Sequence, residues 1–227
     1  LPPLEGVKDE RLGWLSQQAS LQCTAETQTE MPYAPLDSLG DAGEPEDDDY
    51  KHRLPPPDEG DVFIDFEGHP YWTVEQGMFF LFGCLEHHPS DGWKFHPRWA
   101  HTKDDERAKA AELIDYLTQR RKQFPGMHIY HYNHTERSNL ESLADGNPVA
   151  EAQIKDLVST GAFIDLYRTV LTSIQIGADS YSLKRVEKLT DFERTHDIAT
   201  GAGAVLTYEN YLETGDDNDL SEIAKYN

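Results

Sequence analysis

The sequence predicts an α/β domain in which a three-stranded meander and added parallel strands form one mixed sheet, with helices on its faces. Three observations predict it. Runs rich in β-formers at 61–67, 78–85 and 93–100 follow one another with short connections, and Asp91-Gly92 marks the hairpin turn between the last two. Helical spacing then takes over, with apolar or alanine positions at 108, 111, 113, 114 and 117. Beyond this helix, short strands alternate with helices, an order that requires crossover connections.

The elements follow in order. Residues 1–53 stand apart from the rest. One short helix fits at 9–22, after which Pro, Gly, Ser, Thr and acids dominate. The run Glu44-Pro45-Glu46-Asp47-Asp48-Asp49 repels itself and has almost nothing to bury, so it is expected to be a flexible linker. Leu54-Pro55-Pro56-Pro57 makes a stiff lead-in to a domain at 54–227.

Within that domain, 61–67 reads as a strand buried on both faces. Asp104 is placed as the N-cap of a helix reaching about Arg121, and Pro125-Gly126 breaks the chain before a fourth strand at 128–132. Helices at 135–144 and 149–159 and a short strand at 162–165 come next. Helical segments at 181–189, 204–214 and 220–226 complete the reading.

Composition narrows the function classes. With 42 acidic against 20 basic residues the formal net charge is −22, a poor match to a protein that grips phosphates by its own Lys and Arg. Any nucleic acid must then be held largely by other parts of the protein. Cys23 and Cys84 form neither a disulfide framework nor a zinc signature, which favours a reducing cytoplasm. No stretch approaches the roughly 20 apolar residues that span a bilayer, so no membrane partner is expected. The chain opens at Leu1 without a signal-peptide pattern or an initiator Met, as expected of a processed chain or a piece of a larger one.

Two features carry chemistry. Asp65 and Glu67 stand at i and i+2 of an otherwise apolar strand, so both carboxylates leave the same face. Such a pair is either a set of ordinary acids at a strand end or a site that needs cations, whether Arg/Lys partners or a hard divalent metal such as Mg²⁺ or Mn²⁺. The second feature is the strand-to-helix passage His131-Tyr132-Asn133-His134-Thr135-Glu136, with polar groups gathered at the carboxyl end of a strand. Glu136 there either complements the helix dipole or turns back toward the first strand.

These segments resemble a known family. Asp65-Phe66-Glu67 is similar to the first motif of DEDD exonucleases, and Asn133-His134-Thr135-Glu136 with Leu140 to the second, with Glu in place of Asp. Phe163-Ile164-Asp165-Leu166 and Ser180-Tyr181-Ser182-Leu183-Lys184 resemble the segments that follow. From about Leu54 to Asn227 the chain is similar to the RNase H-like domain of the predicted RecB-family nucleases, a bacterial family often fused to a superfamily 1 helicase.

The resemblance implies a 3′–5′ exonuclease on DNA or RNA using two divalent ions. It makes Asp65, Glu67 and Glu136 metal ligands and Tyr226 the tyrosine that orients the attacking water. It places the last motif's aspartate just past Asn227, so the domain would continue beyond this chain. Asp165, Asn133, His131 and Lys184 are expected to support the site. Tyr71 and Trp72, just after the first motif, would stack on bases unless they simply pack.

His69, His87, His88, His128, His131 and His134 suggest a histidine metal site, but His128 and His131 have opposite strand parity and none forms a helical His-x-x-x-His. They are expected to make ordinary hydrogen bonds or line a groove. A catalytically degenerate scaffold that binds nucleic acid or positions a helicase is the alternative function. A module using the acidic run as bait for a basic partner is a third.

Overall fold

A computed structural model describes residues 8–36, 54–194, 198 and 200–227. The acidic run at 44–49 lies outside them. The elements in chain order are α1 (Asp9–Ala25), β1 (Tyr33–Pro35), β2 (Val62–His69), β3 (Met78–His88), β4 (Gly92–Trp99), α2 (Lys103–Gln123), β5 (Ile129–His131), α3 (Thr135–Leu143), α4 (Pro148–Ser159), β6 (Phe163–Asp165), α5 (Leu166–Ser173), β7 (Ile174–Ile176), α6 (Leu183–Val186), α7 (Gly201–Thr214) and α8 (Asp217–Tyr226).

Chain contacts divide the described residues into two compact units, one of which joins the N-terminal segment to Leu166–Glu193. The unit's centre is a two-stranded antiparallel pair of β1 and β7, with Tyr33 opposite Ile176. Backbone carbonyls of β7 and the turn after it accept from α1 side chains, Gln18 to Ile176 and Gln22 to Ala178. Sequence periodicity alone did not reveal β1 or β7, because three-residue strands carry too little pattern, and it also passed over the two-turn helix α5.

The second unit, Pro56–Asp165 with Arg194–Asn227, holds the five-stranded sheet in the order β4-β3-β2-β5-β6. β4, β3 and β2 pair antiparallel as a meander, while β5 and β6 add parallel to β2. This is the mixed sheet flanked by helices that the element order predicts.

The first strand is not buried on both faces. Val62, Ile64 and Phe66 are buried, whereas Phe63 and Glu67 are half-buried and Asp65 is exposed. One face carries the larger core, where Phe82 and Cys84 of β3 meet Ala110, Leu113, Ile114 and Leu117 of α2 and Ile154 and Leu157 of α4. On the other face Met78, Phe80 and Leu81 pack with Ala204 and Tyr208 of α7 and Ile223 of α8. The alternation on β2 therefore marks an opening in the second layer at Asp65.

A β-bulge sets up that second layer. Glu67 pairs with Leu81, but Gly68 pairs with Phe79, so Phe80 is the extra residue. Both Phe80 and Leu81 can then face the α7–α8 layer. The bulge's amide is satisfied by a side chain: Phe79 donates to Oε1 of buried Glu106 at 2.7 Å, and Lys103 pairs with the other Glu106 oxygen.

The helix ends follow known capping chemistry. Thr102, not Asp104, caps α2 by accepting from Asp105, while Asp104, Asp105 and Glu106 in the first turn and Arg120, Arg121 and Lys122 in the last complement the dipole. Asn147 caps α4 ahead of Pro148, Thr200 caps α7, and Asp216 caps α8. Among the described residues no helix is long and apolar enough to cross a membrane.

The turn before β2 is held by α2. The Gly60 carbonyl accepts from Arg120 Nε at 2.7 Å, and a Cβ at Gly60 would lie 2.3 Å from Phe124 Cβ and 2.8 Å from Met127 Cβ. Those atoms sit at the root of their side chains and cannot swing away. Gly60→Ala is expected to cost about 3 kcal/mol. That lowers the melting temperature by roughly 6–12 °C in a protein of this size, read by thermal denaturation.

Candidate functional site

Four carboxylates stand near the carboxyl end of the parallel strands. Asp65 lies opposite Gly83 on β3 and accepts from the Phe66 amide at 3.0 Å. Its side chain reaches solvent, yet burial among surrounding protein pushes its carboxyl up to about 6 against the pull of that amide. A group both accessible and desolvated sits in a concavity, and this one is the opening in the second layer. Glu67 follows two residues on, on the same face and beside the bulge.

Glu136 stands in the first turn of α3 and is 6 % exposed. Burial pushes its carboxyl up to about 8 against its own backbone amide, and the charges of Asp65 and Asp165 push it further. Its Oε2 is buried with no hydrogen-bond partner, the nearest ring nitrogen being His131 Nδ1 at 3.7 Å. Glu136 combines the two roles open to it in the sequence: it is the first-turn acid of α3, bonded to its own amide, and it feels the charge of Asp65 on β2.

The turn into α3 explains how Glu136 is placed. Asn133 takes a left-handed conformation at φ 76°, which Asn tolerates better than most residues. Its amide donates to Asp165 Oδ1 at 2.9 Å, and its Oδ1 accepts from the His134 amide at 2.8 Å. His131 donates from Nδ1 to the Asn133 carbonyl, which fixes the tautomer because a carbonyl only accepts. Burial lowers the pKa of this imidazole. Asp165, paired in register with His131 at the end of β6, thus locks the turn and adds its own charge to the cluster.

The other expected residues are placed as follows. Tyr226, at the end of α8, is half-buried with the Arg194 guanidinium over its ring. The next residue, Asn227, comes against Gly83, the register partner of Asp65, so α8 delivers the chain to the strand position beside that carboxylate. Trp72 packs in the second core near Tyr208, whereas Tyr71 is 79 % exposed. Lys184 is on α6 in the other unit.

A cavity of about 480 Å³ opens between Gly68, Gly77, Lys103 and Asn139, and none of the four carboxylates lines it.

The histidines mostly do what the sequence suggested. His128 pairs with Asp61 at 3.1 Å, His134 with Asn133, and His69 with Glu209 at 3.0 Å. The exception lies elsewhere on the sheet, where Glu86 gathers His88 and His96. Sequence reasoning missed it, although Glu86-x-His88 and the turn at Asp91-Gly92 were its signal: counting back from that turn puts His96 opposite Cys84, on the Glu86 face.

The orphaned buried oxygen of Glu136, desolvated and within reach of the charges of Asp65 and Asp165, is unstable as an anion and suits a hard divalent cation, although among the described residues no three of these acids already hold their oxygens within 4.8 Å of one another. A family model described as RNase_H superfamily (RNase_H_2) matches residues 62–227, from the first residue of β2 to the end of the chain. No curated protein and no solved structure matches the chain. The matched segment contains all four carboxylates and the whole five-stranded sheet, and the family match suggests a nuclease-like, nucleic-acid-related function. The chain belongs to the RNase H superfamily.

Proposed function

We propose that this chain is a divalent-metal-dependent nuclease that hydrolyses phosphodiester bonds of DNA or RNA, working inward from a 3′ end. Asp65, Glu67 and Glu136 would hold Mg²⁺ or Mn²⁺. One observation carries the reading: Glu136 buries a carboxylate oxygen without a partner beside two further carboxylates. Carboxyls raised by burial and by like charges cluster at functional sites.

Divalent cations bound there supply the charge that activates a water toward phosphorus and steadies the departing 3′ oxygen. The remaining work falls to the chain. Asp165 holds the Asn133 turn and with it the start of α3, which fixes Glu136. His131 braces the same turn from beneath. Tyr226 is assigned the orientation of the attacking water. Tyr71, exposed at the mouth of the loop after β2, offers a ring face on which a base can stack. A chain of net charge −22 has little general grip on phosphates, so in this reading other domains of a larger polypeptide, among them a helicase, deliver the strand.

The test is Mn²⁺-dependent degradation of end-labelled single-stranded DNA, with Asp65→Ala as control. Stepwise loss from the 3′ end, lowered at least a thousandfold by Asp65→Ala, is the expected result. Cleavage that survives Asp65→Ala, or no cleavage at all, would overturn the nuclease reading for this substrate and favour a non-catalytic scaffold.

A further inference from the structure

On the α2 face of the sheet, a second group of side chains has the composition of a metal site. Glu86 and His88 leave the same face of β3, and His96 joins them from β4 because it stands opposite Cys84 in the hairpin register. His88 Nε2 and His96 Nε2 each lie 2.8 Å from the same oxygen, Glu86 Oε1. The three donor atoms are all within 4.8 Å of one another. Two ligands about 2.0–2.1 Å from one tetrahedral ion are about 3.3 Å apart, roughly half an ångström more than the 2.8 Å spacing present, so a small outward shift of the imidazoles makes room for the ion.

The surroundings fix the carboxylate. The other Glu86 oxygen accepts from Tyr116 and pairs with Arg120, both on α2. Such outer partners hold a ligand in one orientation. Lys94, which shares this face, is drawn away to Asp91, and Arg98 lies over the Tyr116 ring and toward Glu112. The Glu86 side chain is 5 % exposed, but those of His88 and His96 are 38 % and 43 % exposed, so the imidazole edges meet solvent and leave an entry path.

We propose that Glu86, His88 and His96 form a binding site for one Zn²⁺-class transition-metal ion, separate from the acidic cluster and fastening the β3–β4 hairpin. Nitrogen ligands select this class over Mg²⁺, which prefers an all-oxygen shell. On binding, each imidazole exchanges its Nε2 contact with Oε1 for a bond to the ion, its proton residing on Nδ1, while Oε1 becomes the third protein ligand. Water completes the shell. The site does not depend on the nuclease reading, because it shares no residue with the acidic cluster.

The experiment is Zn²⁺ and Co²⁺ titration of the purified chain by calorimetry and by the cobalt visible absorption bands. Three proteins are compared: the chain itself, Asp65→Asn, and His88→Gln/His96→Gln. Expected is one equivalent bound with nitrogen-ligand cobalt bands, retained in Asp65→Asn and lost in the double variant, with Mg²⁺ in excess failing to displace it. Glutamine keeps a polar contact to Glu86, and far-UV circular dichroism checks that the variant is folded. If it is not, His96→Gln alone is expected to weaken Zn²⁺ binding at least tenfold. No uptake by the unaltered chain, or uptake and bands unchanged in the histidine variants, would overturn the site and leave Glu86 as a hydrogen-bonded anchor.

Discussion

Glu136→Gln is expected to lower metal-dependent hydrolysis about a thousandfold and at the same time to stabilise the metal-free protein. The first effect corresponds to roughly 4 kcal/mol of transition-state stabilisation, the scale supplied by a well-placed metal charge. The second follows from burial. In the fold the carboxyl titrates at about 8 rather than 4.5, so the folded chain binds more protons than the unfolded chain between those values. The folded state is favoured below pH 4.5, and that advantage is lost as pH rises through 8. The Gln variant removes the slope, with a gain on the order of 2 kcal/mol at pH 8 and little at pH 4. Denaturant melts of both proteins at the two pH values check it. Adding Mn²⁺ is expected to raise the melting temperature of the unaltered protein more at pH 8 than at pH 5.5, where protons compete for the carboxylates. Equal stability of the two proteins at pH 8 would mean that Glu136 is not strained.

Glu86→Ala is expected to act in the opposite direction, destabilising the fold by about 3–5 kcal/mol at pH 7. Glu86 is 4 % exposed and accepts from His88, His96 and Tyr116 while pairing with Arg120. Its loss leaves the Arg120 guanidinium, itself tied to Gly60, buried without its carboxylate. Burial alone would raise the Glu86 pKa, but bonds from Tyr116 and His88 and the charge of Arg120 outweigh it and hold the carboxyl at about 2. A depressed folded value stabilises above the unfolded value of 4.5, and that stability is lost as pH falls toward 2. Urea titrations at pH 7 and pH 3 therefore should show the gap between Glu86→Gln and the unaltered protein narrowing at the lower pH. A constant gap would assign the effect to packing rather than charge.

Two buried glutamates on one domain carry opposite pKa shifts. Glu86 is surrounded by donors and cations, which hold it ionised. Glu136 is surrounded by other acids, which favour its proton. Burial is common to both; the sign of the neighbours decides.

Much of this was legible in the sequence. The strand Val62–His69 announced itself by β-branched and aromatic residues, and period two alone put Asp65 and Glu67 on one face. The order of long elements gave the mixed sheet, because a meander followed by crossovers has few other solutions. Local spacing also brought Glu136 to the start of a helix.

Tertiary structure decided the rest. Whether Glu136 faced solvent or the acids depended on the left-handed Asn133 and on Asp165, more than thirty residues away, accepting from its amide. The open second face at Asp65 depended on where α7 and α8 came to rest against Phe80 and Leu81. The Glu86–His88–His96 group depended on hairpin register and on two α2 residues meeting it from above. Period and propensity are properties of neighbouring residues, so the sequence by itself determined the elements and their faces. Partners distant along the chain are chosen only when the packed core fixes register and approach, and those partners set the opposite pKa shifts of Glu86 and Glu136.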